Sequence, residues 1–283
     1  MADGWTDVNR RGYDGIRLRS FCSKQGGTAN ACIALDQCFY WSRAFSYGFS
    51  RFMEESDMER KKIVILGAGH VGSHCAYALA SAGFCEEIVL VDVCRNKAQA
   101  QSLDIADSTS FFARPVTVRA GVHEGCAEAS WVVVAIGEPR MPGQTRLDLL
   151  GRSVELLRVL ADQLRPLRIS CPIVTITNPA DIVADFLRKS LELERWRCFS
   201  TGTLLDTARL TRLIAQAAGI SQASVQAFVL GEHGDSSMAA FSCASVGGLP
   251  LSRFDLDEEA LLRGVHSTGM EIIEGKGSTE FRL

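Results

Sequence analysis

His233 stands in the run GEHGD, a glycine-flanked turn expected after the apolar segment 225–230. An imidazole presented there can give or take a proton near neutral pH, although a surface histidine is the plainer alternative. Asp206 and Arg209 are three residues apart in STGTLLDTARL, so a helix over 204–218 sets a carboxylate and a guanidinium on one face. The same spacing suits an ordinary surface ion pair. The run GEPRMPGQTRLDLL carries Arg140 and Arg146 from a loop with Pro139, Pro142 and Gly143 into a further helix. It is either a solvated basic loop or a pair of cations delivered to a cleft. Hydride transfer to a ketone needs such parts: a proton donor for the developing alkoxide, a group that orients the donor, and cations for a carbonyl and a carboxylate.

A second constellation lies upstream. GAGHVG at 67–72 fits GxGxxG and follows a short β-branched run directly. Gly67 allows a tight turn, Gly69 lets a pyrophosphate approach the backbone, and Gly72 lets strand and helix pack closely. The phosphate then meets the N-terminus of a helix, where free N–H groups and the dipole favour an anion. Asp92 ends the next expected strand about 20 residues on, where a carboxylate can accept hydrogen bonds from ribose hydroxyls. A 2′-phosphate would be repelled there, so NAD is preferred over NADP. A ligand-free glycine turn and an ordinary turn aspartate are the alternatives.

The elements that must position these residues alternate. Strands are expected at 63–66, 88–91, 116–119, 131–136 and 173–177, and helices at 71–82, 96–106 and 148–164. That is the pattern of a doubly wound parallel sheet, a Rossmann α/β fold. Beyond residue 200 the expectation changes to the helix 204–218, neighbouring strands at 225–230 and 238–246, and a last helix at 256–274, a smaller α+β domain. The expected organisation is an extension over 1–60, a dinucleotide-binding domain over 61–200 and a catalytic domain over 201–283.

Composition excludes several classes. Thirty Lys plus Arg against 33 Asp plus Glu, a net charge of −3, lack the basic excess that nucleic acid attachment requires. No apolar run approaches the roughly 18–20 residues needed to span a bilayer. Ten cysteines lie singly, with no CxxC pair, so free thiols in a reducing, cytoplasmic setting are expected rather than disulfides or a metal site. A thiol redox sensor is a third functional class, without a visible resolving partner. The first 60 residues are rich in aromatics and glycine but follow no sustained period, and read as an unstructured or artefactual extension.

Taken together, GAGHVG, LVD, PRMPGQTRLDL, TNPADI, STGTLLDTAR and GEHGD resemble the lactate/malate dehydrogenase family, in order over about 61–281. The resemblance implies NAD, a small 2-oxo or 2-hydroxy acid substrate, and a homodimer or tetramer. By it His233 is the acid/base, Asp206 fixes its tautomer, Arg209 holds the substrate carboxylate and Arg146 on a closing loop polarises the carbonyl. Asn178 helps place the carbonyl and nicotinamide, and Thr279 lines the pocket. In this family the residue six before the polarising arginine separates glutamine-bearing lactate enzymes from arginine-bearing malate enzymes, and here it is Arg140. Malate/oxaloacetate is therefore expected. The alternatives are lactate/pyruvate, or an NAD-binding chain without turnover. Family members continue for roughly 80 more residues past Leu283, so an incomplete catalytic domain, with lower activity and a tendency to aggregate, is also expected.

Overall fold

A computed structural model describes residues 61–137, 146–234, 236–277 and 279–280, with backbone alone over 146–153. The expected extension over 1–60 and Arg140 lie outside the described residues, as does the chain past residue 280. The described residues fall within one compact unit.

Six parallel strands form the main sheet: β1 (Lys62–Leu66), β2 (Glu87–Val91), β3 (Thr117–Ala120), β4 (Trp131–Val134), β5 (Ile173–Thr175) and β6 (Cys198–Ser200). Their order is β3-β2-β1-β4-β5-β6, the doubly wound arrangement with its switch between β1 and β4. Because side chains alternate along a strand, each inner strand feeds two cores. Val64 and Leu66 of β1 join Val89, Val91, Val132 and Val134 on one face, beneath helix α3 (Arg146–Leu164) and helix α4 (Ala180–Ser190). Ile63 and Ile65 join Ile88, Leu90 and Val133 on the other, beneath α1 (His70–Ala82) and α2 (Arg95–Thr109). Ala76, Ala80 and Ala98 let those two helices come close.

The register aligns the carboxyl ends of the central strands. Leu66 stands opposite Val91 on one side and Val134 on the other. The loops that follow β1, β2 and β4 therefore open along one edge, the edge where open α/β sheets bind ligands.

A third core lies beyond β6. There α5 (Leu204–Ala218) and α6 (Glu258–Lys276) pack Leu210, Ile214, Leu261 and Val265 against Val225, Val229 and Val246. Helix α5 spans the expected residues and stops at Gly219, whose φ of 68° ends the helix in the left-handed region. Asp257 caps α6, its carboxylate accepting the Ala260 N–H at 2.9 Å.

The two strands expected downstream are both divided. The segment 225–230 splits into β7 (Val225–Gln226) and β8 (Val229–Leu230), which belong to different sheets. Val229 is bonded by helix α5 instead of a continuous ladder: its N–H donates to Thr207 Oγ1 at 3.0 Å and its carbonyl accepts from Thr203 Oγ1 at 2.6 Å. The segment 238–246 splits into β9 (Met238–Ala239) and β10 (Ser245–Val246) around a turn at Phe241–Cys243. Antiparallel pairing joins β8 to β9, and joins β10 to both β7 and β11 (Leu249–Pro250). Helix α4 and strand β6 are additional to the elements expected from sequence. No described helix is long and apolar enough to cross a membrane.

Candidate active site

The turn after β1 is shaped by what its glycines lack. Gly67 sits at φ 106° and donates its N–H to Val91 O at 2.7 Å, and an added Cβ would lie 2.4 Å from Ala135 O. A Cβ on Gly72 would lie 1.8 Å from Gly67 O, so helix α1 can pass this close to β1 only without a side chain there. Gly69 differs: the nearest atom to a Cβ there is Lys97 Nζ at 3.9 Å. Its surroundings are open, and as the N-cap of α1 it carries no side chain to satisfy the helix N–H groups. A backbone cradle with free donors and a lysine ammonium nearby suits a pyrophosphate.

Asp92, at the end of β2, closes this turn. Its Oδ2 accepts the Ala68 N–H at 2.8 Å and its Oδ1 accepts the Cys94 N–H at 2.9 Å. Two oxygens offer about four lone-pair sites, so acceptor capacity remains for ribose hydroxyls. Gly67, Gly69, Gly72 and Asp92 thus form one group whose shape and donors fit a dinucleotide.

Asn178 follows β5 in an exposed position, just before α4. The Thr177 hydroxyl beside it donates to Ile136 O at 2.6 Å, tying the loop after β5 to the loop after β4. The second loop runs on toward Arg140, which lies outside the described residues. Arg146 begins α3, with only its backbone described. The structure therefore gives no position for either guanidinium.

Asp206, Arg209 and His233 form the second group. Asp206 lies in the first turn of α5, where the helix dipole favours a carboxylate. Its Oδ2 is 2.6 Å from His233 Nδ1, and its Oδ1 accepts from Arg209 Nη1 at 3.2 Å. Side-chain exposure is 5% for Asp206, 12% for Arg209 and 23% for His233. The carboxylate is thus dry, with a partner on each oxygen, while the imidazole stays partly exposed. This is no exposed i,i+3 pair. A ring held at Nδ1 by a carboxylate has its proton there and presents Nε2 outward for proton exchange. Arg209 also borders α6, since a Cβ on Gly269 would lie 3.4 Å from its Nη2.

Several residues that hold these groups escaped the sequence reading. Thr203 and Thr207 fasten α5 to β8, and Ser200 bonds Asp181 at the start of α4 while its hydroxyl accepts the Gly202 N–H at 3.0 Å. Hydroxyls that bond across elements leave no period in the chain. The seven described cysteines are all free thiols. Burial pushes the thiols of Cys85, Cys126 and Cys198 up to about 12 and those of Cys75 and Cys171 up to about 11, which leaves them without thiolate reactivity.

Residues 61–200 match the family model for the lactate/malate dehydrogenase NAD binding domain, and residues 203–281 match that for the lactate/malate dehydrogenase alpha/beta C-terminal domain. An L-lactate dehydrogenase of Mesoplasma florum is 34% identical over 231 residues, which cover 78% of this chain and 72% of that protein. Among solved structures, the minor L-lactate dehydrogenase of Enterococcus mundtii in its ligands-bound form superposes with a TM-score of 0.76 at 34% identity, covering 78% of this chain and 73% of that one. The malate dehydrogenase of Picrophilus torridus gives 0.73 at 27% identity, covering 79% and 72%. With both domain models matched in sequence and the same fold recovered, the chain belongs to the lactate/malate dehydrogenase family.

Proposed function

We propose that this member of a family of NAD-dependent 2-hydroxy acid dehydrogenases acts on lactate and pyruvate, with His233 as its acid/base. The observation that carries the proposal is the 2.6 Å contact between His233 Nδ1 and Asp206 Oδ2. NAD, when bound, accepts a hydride from the 2-hydroxy acid or, as NADH, returns one to the 2-oxo acid. Gly67, Gly69 and Gly72 would receive its pyrophosphate and Asp92 its adenosine ribose.

The chain's own residues manage the proton and the charges. In the reductive direction His233 gives its Nε2 proton to the carbonyl oxygen as negative charge develops there. Asp206 keeps the ring oriented and stabilises the imidazolium that precedes this transfer. Arg209 grips the substrate carboxylate through two parallel N–H bonds, a task that its planar fork suits and a lysine would not. Arg146 would polarise the carbonyl, and Asn178 would help to orient it. Assembly into a dimer or tetramer through helices flanking the cofactor sheet belongs to the same proposal.

Lactate is favoured over malate because relatives at 34–36% identity are named L-lactate dehydrogenases. The malate preference expected from Arg140 is not supported by those relatives. Oxaloacetate and malate stay as the second candidate pair on the chemistry of Arg140 itself, since a desolvated guanidinium opposite a methyl group would lack a partner. Initial rates of NADH oxidation with pyruvate and with oxaloacetate decide between them. A higher kcat/KM with pyruvate is expected; a higher value with oxaloacetate, lost in Arg140→Gln, would select malate instead.

A further inference from the structure

We infer that His266 is a positioning residue for the catalytic histidine, acting through Ser237; the inference rests on the role proposed above for His233. Helix α6 is fixed along α5 by Leu261 and Val265, both buried in the core they share with Leu210 and Ile214. The residue after Val265 leaves that core and meets the loop that bears His233. His266 Nε2 lies 3.0 Å from Ser237 Oγ.

Ser237 is 5% exposed, so its hydroxyl has little access to water and depends on the imidazole for a partner. Its backbone N–H donates to Gly234 O at 3.1 Å, and Gly234 is the next residue after His233. One chain of contacts therefore runs from α6 through a buried hydroxyl to the peptide beside the acid/base. The loop needs such a tether, because Gly231 and Gly234 carry no side chain to pack and Glu232, directly before His233, is exposed. Asp206 holds the ring from the α5 side, and His266 holds the backbone from the α6 side. The two anchors come from different helices: Asp206 bonds the ring of His233, and Ser237 bonds the carbonyl of the residue that follows it. Gly269, one turn further along α6, abuts Arg209, so the same helix face also backs the proposed carboxylate clamp.

No atom of His266 needs to touch substrate in this arrangement. Losing it should lower kcat while leaving cofactor binding alone, because the glycine turn belongs to the other domain core. The test compares the full chain with His266→Leu, Ser237→Ala, the double variant and His266→Gln, whose amide can still bond Ser237. Far-UV circular dichroism and melting curves verify folding, and Ser237→Ala removes a single oxygen if the helix substitution disturbs the fold. His266→Leu and Ser237→Ala should each lose about three- to tenfold in kcat for reduction of the 2-oxo acid, with NADH affinity by fluorescence titration unchanged. The double variant should lose no more than either single one, and His266→Gln should recover most of the rate. Full kcat in folded His266→Leu or Ser237→Ala, losses that multiply in the double variant, or an equal loss in His266→Gln would overturn the inference. Absence of turnover in the unsubstituted chain would instead overturn the role of His233, and this inference with it.

Discussion

Asp206 Oδ2 lies 2.6 Å from His233 Nδ1 across a separation of 27 residues, and no other acidic group is shown bonding that ring among the described residues. One carboxylate thereby sets the tautomer of the ring, while its second oxygen fixes Arg209. The proposed proton donor and the proposed carboxylate clamp share a single anchor.

Asp206→Asn keeps the shape of that anchor and removes its charge. The imidazolium loses its stabilising partner, so turnover should fall by about 10²–10⁴-fold with a much smaller change in NADH affinity. Arg209, largely buried, is left without a counter-charge, and stability should drop by on the order of 3 kcal/mol. Steady-state kinetics and chemical denaturation of the same preparation check both effects.

The glycine turn separates packing from binding. Gly72→Ala forces a Cβ to within 1.8 Å of Gly67 O and should destabilise the fold outright, seen as a lowered melting temperature without ligand. Gly69→Ala meets nothing closer than Lys97 Nζ at 3.9 Å. It should melt within about 1 kcal/mol of the parent yet bind NADH at least about tenfold more weakly, since the methyl occupies the approach of the pyrophosphate.

In the proposed site Asp92 selects the cofactor by charge. Asp92→Ser removes the carboxylate beside the glycine turn and should narrow the preference for NADH over NADPH by about tenfold or more, measured as the ratio of kcat/KM values. An unchanged ratio would assign Asp92 only to bracing the turn through the Ala68 and Cys94 N–H groups.

Alkaline pH should weaken the nucleotide-binding core. Burial raises the thiols of Cys85, Cys126 and Cys198 to about 12, so the folded chain keeps protons that the unfolded chain releases near an ordinary thiol value of about 8.5. Their contribution is fully present below that pH and is lost as pH rises toward 12. Melting temperatures recorded from pH 8 to 11 should fall, and less steeply in Cys126→Ala after correction for its own stability. Thiol labelling of the folded chain at pH 8 should reach the exposed Cys94 and Cys243 while sparing the buried thiols.

What sequence disclosed depended on the range of the interactions. The turn at Gly67, the strand β1 and the helix α5 were legible because each is dictated locally, by glycine spacing, β-branched residues and a terminal Gly219. The pairing of Asp206 with Arg209 was legible as an i,i+3 spacing, but its burial was not. The division of 225–230 was hidden, since Val225, Ala227 and Val229 alternate inward as one strand would. Where a ladder would continue, Val229 instead bonds Thr203, at the N-cap of α5, and Thr207 within it, both distant in sequence. Helix α4 did leave a signal in the buried positions Val183, Ala184 and Leu187, whereas the three-residue β6 is too short for periodicity to mark. Ser237 and His266 are 29 residues apart and meet only in the folded chain.

The most direct measurement is the rate of NADH oxidation with pyruvate, and with oxaloacetate beside it, by the chain and by His233→Asn at matched NADH occupancy. The unsubstituted chain should turn over a 2-oxo acid, and the variant should lose at least about 10²-fold in kcat while still binding NADH. A folded variant whose kcat stays within about threefold of the parent would show that the proton is handled elsewhere, and would contradict the role given to His233.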